Sequence, residues 1–439
     1  MAAEPATTLA AEALPAATRR RAQVLAYGAL GLPLAFAALP IYVHVPRLYA
    51  DQLGLPLAAV GAVLLLTRII DAASDPLIGR ACDRFRRRAV IVLALPLLAA
   101  SLPALLAPPP DAGLGWLATM LVLVSLGYSL ASIAYHAWGA ELGQDAHERT
   151  VAVASREACA LVGVMLAAAL PTVLDRDAAV ALGRLGMLFL PLLAAAALLT
   201  LLFGPAERAG HHSPAAGTAA RPATLADPVL VRLLAVVAAN AIAAAVPSAT
   251  VLFFVADVLG ADRQAGLFLL LYFAAAAAGL PLWVALARRL GKLRAWALAM
   301  AGAVLVFAWA AALGPGDAAA FAAVCVLSGL AFGADLALPA ALLGDLLARD
   351  GRSGAGACFG WWNFVAKASL ALAAGIALPL LGWLGYSPGA QDEAARDALR
   401  AVYALLPVAL KCVALALLWR WRGWLDPCPA PEPRSPEET

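Results

Sequence analysis

Two carboxylates four residues apart stand inside an apolar stretch, Thr67-Arg68-Ile69-Ile70-Asp71-Ala72-Ala73-Ser74-Asp75-Pro76. On a helix, positions i and i+4 share one face, which puts Asp71 beside Asp75. Two acids that close repel each other unless a cation or a proton lies between them. Carboxylate oxygens with a hydroxyl such as that of Ser74 suit a hard cation, Na+. One protonated carboxyl would suit proton coupling instead. Arg68, three residues before Asp71, is placed to neutralise this face when the site is empty. The plainer reading is a structural Arg68–Asp71 ion pair, with Asp75 capping a helix break at Pro76.

Other charges interrupt apolar stretches. A charge at mid-membrane costs at least about 2.5–3.5 kcal/mol and usually faces a cavity. Lys367, in Asn363-Phe364-Val365-Ala366-Lys367-Ala368-Ser369, is one of only three lysines, with Lys292 and Lys411. Lys367 and Arg156 could each pair with the aspartates or bind substrate oxygens. Arg156 could instead snorkel to a membrane surface. Asp335 is either functional or a local polar contact. Glu141 and Asp345 fall near helix ends, where they would gate or pack. Trp361 and Trp362 could stack on a sugar face or anchor the chain at the interface.

The elements that must hold these residues are membrane helices. The chain has 439 residues, 63% hydrophobic and 13% charged, against about 25% charged in soluble domains. Its surface must therefore face lipid. Runs of about 20 apolar residues, enough to cross a bilayer, lie near 23–46, 57–79, 88–108, 115–138, 150–174 and 181–204. A second set lies near 229–256, 264–287, 293–313, 318–347, 354–384 and 400–420. The halves are therefore 23–204 and 229–422. They are preceded by a segment 1–22, joined by a Pro/Gly/Ala/Ser-rich linker 205–228 and followed by a disordered tail 423–439. His211 and His212 in the linker read as solvated. Of the 31 Arg and Lys residues, 21 fall in the termini and alternate loops on one side. By the positive-inside rule both termini are cytoplasmic. The Ala/Leu/Arg-rich composition points to a GC-rich bacterium and its inner membrane.

Function classes fall away with this composition. The six cysteines form no CxxC pair, and no His/Cys cluster has metal spacing. No nucleophile–base pair, phosphate-binding glycine loop or nucleic-acid-binding pattern is present, so an enzyme is not expected. No cofactor is expected beyond a coupling Na+ or H+. The expected partners are the lipid bilayer and a small solute, with the monomer as the working unit.

The two halves repeat each other. Ala50-Asp51-Gln52-Leu53-Gly54 returns as Ala256-Asp257-Val258-Leu259-Gly260, a shift of 206. Asp75-Pro76 is echoed by Leu280-Pro281, and Gly139-Ala140-Glu141-Leu142 by Leu343-Gly344-Asp345-Leu346. A near-constant shift across two sets of six spans implies an all-α membrane protein of about twelve helices. Its two pseudo-symmetric halves would be arranged as in the major facilitator fold. Leu280 and its surroundings are apolar where the first half carries acids, so the fold itself does not require Asp71 and Asp75.

The stretch Arg68-Ile69-Ile70-Asp71-Ala72-Ala73-Ser74-Asp75-Pro76-Leu77-Ile78-Gly79 resembles the helix-2 signature of the glycoside–pentoside–hexuronide:cation symporters, the melibiose-permease-like family. Supporting matches are Tyr49-Ala50-Asp51-Gln52-Leu53-Gly54-Leu55, Gly127-Tyr128-Ser129, the segments around Arg156 and Lys367, and Leu338-Pro339 to Gly344-Asp345. Gly79-Arg80-Ala81-Cys82-Asp83-Arg84 and the arginines after it look like the major-facilitator motif between helices 2 and 3. The resemblance implies that Asp71, Asp75, Ser74 and Ser129 coordinate the coupling cation. It implies that Asp83 with arginines such as Arg84 holds an inward gate, and that Arg156 and Lys367 lie near the sugar and cation sites. The chain departs from the family where sugar is bound. The helix-1 carboxylate position falls at Pro33, the helix-4 one at Ser132, and the aromatic a turn later at His136. Basic groups without those acids favour an anionic solute such as a uronate. The expected function is cation-coupled symport of a small polar solute by alternating access. The alternatives are a proton-driven exporter and a non-transporting membrane sensor.

Overall fold

In lipid every backbone polar group must be bonded within the protein, so long apolar runs become helices. The computed structural model describes residues 16–142, 145–175, 177–205, 227–349, 354–386, 389 and 392–426, and every element among them is helical. Residues 1–15, nearly all of the linker with His211 and His212, and the tail from 427 onward lie outside the described residues.

Among the described residues, eleven helices are long and apolar enough to cross a membrane. With Leu57–Cys82, which is just as long, they are numbered here in chain order. The first half holds α1 Thr18–Ile41, α2 Leu57–Cys82, α3 Arg87–Leu106, α4 Leu114–Leu142, α5 Ala146–Pro171 and α6 Ala178–Phe203. The second half holds α7 Pro228–Val258, α8 Asp262–Leu290, α9 Lys292–Ala310, α10 Ala318–Arg349, α11 Ala355–Trp383 and α12 Glu393–Arg420. Among the twelve, α2 carries Arg68, Asp71, Asp75 and Arg80.

Local chemistry sets the helix ends. Asp145 caps α5 by accepting the Glu148 N–H at 2.7 Å, the first half of a capping box. Asp227 caps α7 just before Pro228, whose fixed φ suits a first helical turn. The last helix begins well before the apolar run at 400. Asp392 caps it, and Arg400 pairs with Glu393 and Asp397 on its polar first turns. Pro76 does not break α2: the helix continues through it to Cys82.

The repeat is visible in the backbone. Gly54 and Gly260 both adopt φ of +64°, a left-handed value that costs glycine little. Each follows a short π-helical stretch, Leu48–Gln52 or Phe254–Val258. The repeat extends to ion pairs. Glu141 near the end of α4 pairs with Arg87, the first residue of α3. Asp345 near the end of α10 pairs with Lys292, the first residue of α9.

The two halves close on each other at the arginine-rich end. There α2 and α11 touch backbone to backbone. A Cβ on Gly79 would lie 2.3 Å from the Gly356 carbonyl oxygen, and one on Gly360 2.5 Å from that of Asp75. No side chain larger than hydrogen fits at either position.

Candidate functional site

At about 1.5 Å rise per residue, Asp71 lies about 21 Å from the start of α2 and about 17 Å from its end. It is thus near mid-membrane. Lys367 reaches it from α11. The Lys367 Nζ stands 2.7 Å from Asp71 Oδ2 and 2.8 Å from Asp75 Oδ2. It also donates to Ser129 Oγ of α4 at 2.9 Å, and that hydroxyl donates to Asp71 Oδ1 at 3.0 Å. One ammonium therefore sits between two carboxylates and a hydroxyl. Asp75 is wholly buried, and the Lys367 ammonium beside it supplies its counter-charge.

Above this group lies a cavity of about 150 Å³. Asp71, Lys367 and Asn363 line it, with Thr67 and Arg68 of α2 and Tyr128 of α4. Leu64 of α2 and Leu121 of α4 lie on the side away from the arginine-rich end, so the cavity extends from the site toward the opposite end.

Several expected site residues sit elsewhere. The Ser74 hydroxyl donates to the Asp71 backbone carbonyl, one turn back on its own helix, at 2.8 Å. Arg68 is exposed at the cavity wall, and Lys367 occupies the position between the aspartates instead. Arg156 neither reaches the aspartates nor snorkels. It is buried and paired with Glu157 at 2.6 Å, and Nη1 has no hydrogen-bond partner among the described residues. His136 packs edge-on to Phe359 of α11, and its buried Nδ1 has no hydrogen-bond partner among the described residues. Ser132 accepts the Asn363 amide at 3.0 Å, joining α4 to α11. Trp362 packs near Phe359 and on a cluster from α5, α8 and α10, away from the cavity that holds Asp71.

At the arginine-rich end, Asp83 accepts the backbone N–H groups of Gly356 and Ala357 at 2.7 and 2.9 Å. A carboxylate thus sits at the N-terminus of α11, where free N–H groups and the helix dipole favour an anion. The arginine that pairs with Asp83 is Arg87, at 2.8 Å, and the same guanidinium holds Glu141 at 2.9 Å. Arg84 is exposed, so Arg87 takes the place the sequence suggested for it. A second link between the halves runs from Arg149 of α5 to Asp345 of α10 at 2.7 Å, where Lys292 also reaches Asp345 at 2.5 Å.

One buried network was missed by sequence reading. Lys411 of α12 pairs with Asp335 at 2.8 Å and donates to Asn240 of α7 at 2.7 Å, while Trp296 of α9 donates to the other Asp335 oxygen at 2.8 Å. The intramembrane Lys411 and Asp335 were the available signal, but their separation in sequence hid the pairing.

Twelve helices in two repeated halves, with a charged group at mid-depth beneath a cavity, define a membrane transporter and not an enzyme. The chain belongs to the MFS/sugar transport protein family, whose profile matches residues 24–422. The helix-2 resemblance to the glycoside–pentoside–hexuronide symporters is consistent with that family. No curated relative matches the chain in sequence. Among solved structures, a bacterial homologue of the iron transporter ferroportin in an outward-facing state is similar, with a TM-score of 0.69 and 14% identity. That match covers 92% of this chain and 100% of the other. The E. coli fucose:proton symporter FucP gives 0.66 at 14% identity, covering 91% and 97%. The human organic anion transporter MFSD10 gives 0.65 at 16% identity, covering 92% and 100%. At these identities the likeness is one of fold.

Proposed function

We propose that this protein is a secondary active transporter that couples Na+ or H+ to the uptake of a small polar solute, a sugar, a uronate or a related organic acid. The observation that carries the reading is the Lys367 ammonium held between Asp71 and Asp75 on the floor of a cavity. In the ion-free state Lys367 is a tethered counter-ion. Na+ among the carboxylate oxygens, or a proton on one of them, takes over that charge and releases the ammonium. Released Lys367, with Arg68 on the same cavity wall, then offers positive charge to solute oxygens. By linkage the solute raises cation affinity by the same factor.

The excess of Arg and Lys on one side argues for an inner-membrane protein with both termini cytoplasmic. The closed arginine-rich end is then the cytoplasmic gate, and the cavity faces outward. Alternating access would break the Asp83–α11 and Arg149–Asp345 links and close the opposite end. A membrane potential supplies about 2.3 kcal/mol per charge per 100 mV for accumulation. A sugar–proton symporter and an organic anion transporter among the structural neighbours fit this range of solutes. No resident cofactor is needed, and a monomer contains the whole path.

The test is transport by Asp71→Asn in proteoliposomes under an imposed Na+ or H+ gradient. Solutes are first chosen by thermal stabilisation of the purified protein over sugars, uronates and organic acids, with and without Na+. Concentrative uptake should disappear in the variant. Undiminished accumulation would rule out Asp71 as a coupling group.

A further inference from the structure

We infer that an anionic phospholipid binds between the two halves at the arginine-rich end, in a groove between α5 and α8. The groove encloses about 730 Å³, within the 300–1,000 Å³ range of ordinary ligand pockets. Its walls are mostly apolar: Val151, Ala154 and Ala158 on α5 and Ala277, Leu280 and Val284 on α8 line it. Leu161 of α5 belongs to the same packed cluster as Ala276 and Leu280 of α8, deeper in the bundle. Toward the arginine-rich end, alanines leave space between the two helices.

The rim of the groove carries His147, Arg288 and Arg289. Several other cations at this end are committed to acids: Arg87 to Asp83 and Glu141, Arg149 and Lys292 to Asp345, and Arg20 to Glu148. Arg288 and Arg289 are exposed and form no ion pair among the described residues. Two arginines and a histidine without acids, placed over an apolar slot at a helix end, match the two parts of an acidic lipid. The phosphate meets the guanidinium groups, and an acyl chain fills the slot. Basic pockets between membrane helices recognise anionic headgroups in this way. A soluble anion would satisfy the rim and leave the apolar walls uncovered.

The position gives the lipid a consequence. The α5 wall belongs to the first half and the α8 wall to the second, so a lipid in the groove ties the halves together at their closed end. It acts beside the Arg149–Asp345 link and favours the state open at the opposite end. This binding does not depend on which solute or coupling ion the protein uses.

The experiment uses the purified full chain in neutral detergent. Dioleoyl phosphatidylglycerol should raise the melting temperature and leave a bound lipid in native mass spectrometry, while dioleoyl phosphatidylcholine does neither. Arg288→Gln with Arg289→Gln should abolish both effects. Ala154→Phe, which keeps the arginines and fills the slot, should abolish them too. Glycerol 1-phosphate, the headgroup without chains, should give no shift. The inference is overturned if phosphatidylcholine works as well, if both variants retain the lipid, or if glycerol 1-phosphate alone reproduces the shift. Neither readout involves transport, so failure here is distinct from failure of the transporter reading.

Discussion

Lys367 of α11 and Asp71 of α2 form an ion pair of 2.7 Å across the boundary between the two halves. The same ammonium lies 2.8 Å from Asp75. Movement of one half against the other must therefore carry this contact or break it, and under the proposed coupling a cation that replaces the ammonium changes what the movement costs.

Lys367→Gln removes that ammonium and leaves two adjacent carboxylates without their counter-ion. Loss of one partner from a buried pair costs about 3 kcal/mol. The variant should melt earlier in choline chloride than in NaCl if the coupling ion is Na+, or should recover stability on acidification if it is H+. Adding Asp75→Asn should remove most of that dependence. A melting temperature insensitive to both Na+ and acid would show that Lys367 does not stand in for the ion.

Asp75→Asn tests the role of the wholly buried carboxylate. Desolvating a buried ion pair can cost more than its attraction returns, and Lys367 keeps Asp71 as a partner in this variant, so the neutral amide should leave the melting temperature unchanged or raise it. Coupled uptake should be lost while the solute still stabilises the protein. Asp71→Asn should be the less stable of the two, because Asp71 also accepts the Ser129 hydroxyl.

At the closed end, Asp345→Asn should do more harm than Arg149→Ala. The first leaves Arg149 and Lys292 facing each other without an acid, whereas the second preserves the Lys292–Asp345 pair. Uncompensated buried charges of this kind cost about 3–5 kcal/mol. Cys82 and Cys358 are buried beside this closure and serve as native reporters. With the remaining cysteines replaced, maleimide should label them slowly in the parent and at least about tenfold faster in Asp345→Asn, as a shift of 1.4 kcal/mol suffices.

Gly360→Ala should act in the same direction through shape alone. Its Cβ would meet the Asp75 carbonyl oxygen at 2.5 Å, so α2 and α11 must separate at this end. The same maleimide assay reads the outcome. Labelling as slow as the parent's would mean that the backbone contact is not what seals the end.

Much of the fold was legible in the sequence because lipid imposes a simple demand. An apolar run of about 20 residues must become a helix, and twelve such runs with a repeat 206 residues long give two matching halves. Gly54 and Gly260 carry that repeat into the backbone with the same positive φ. Helix boundaries were less legible where polar residues extend a helix beyond the membrane, as Asp392 and Glu393 do at the start of α12.

By itself the sequence determined that Asp71 and Asp75 share a helix face, since that depends only on a spacing of four. It equally determined that Lys367 and Arg156 are costly charges inside apolar stretches. Which cation answers which acid was decided by tertiary structure. Lys367, nearly three hundred positions away, reaches the aspartates in place of the neighbouring Arg68, whereas Arg156 turns to Glu157. Asp83 likewise finds the N–H groups of Gly356 and Ala357, and Lys411 finds Asp335. A charge buried away from water takes the partner that helix packing brings within about 3 Å, and packing depends on contacts between helices distant in the chain.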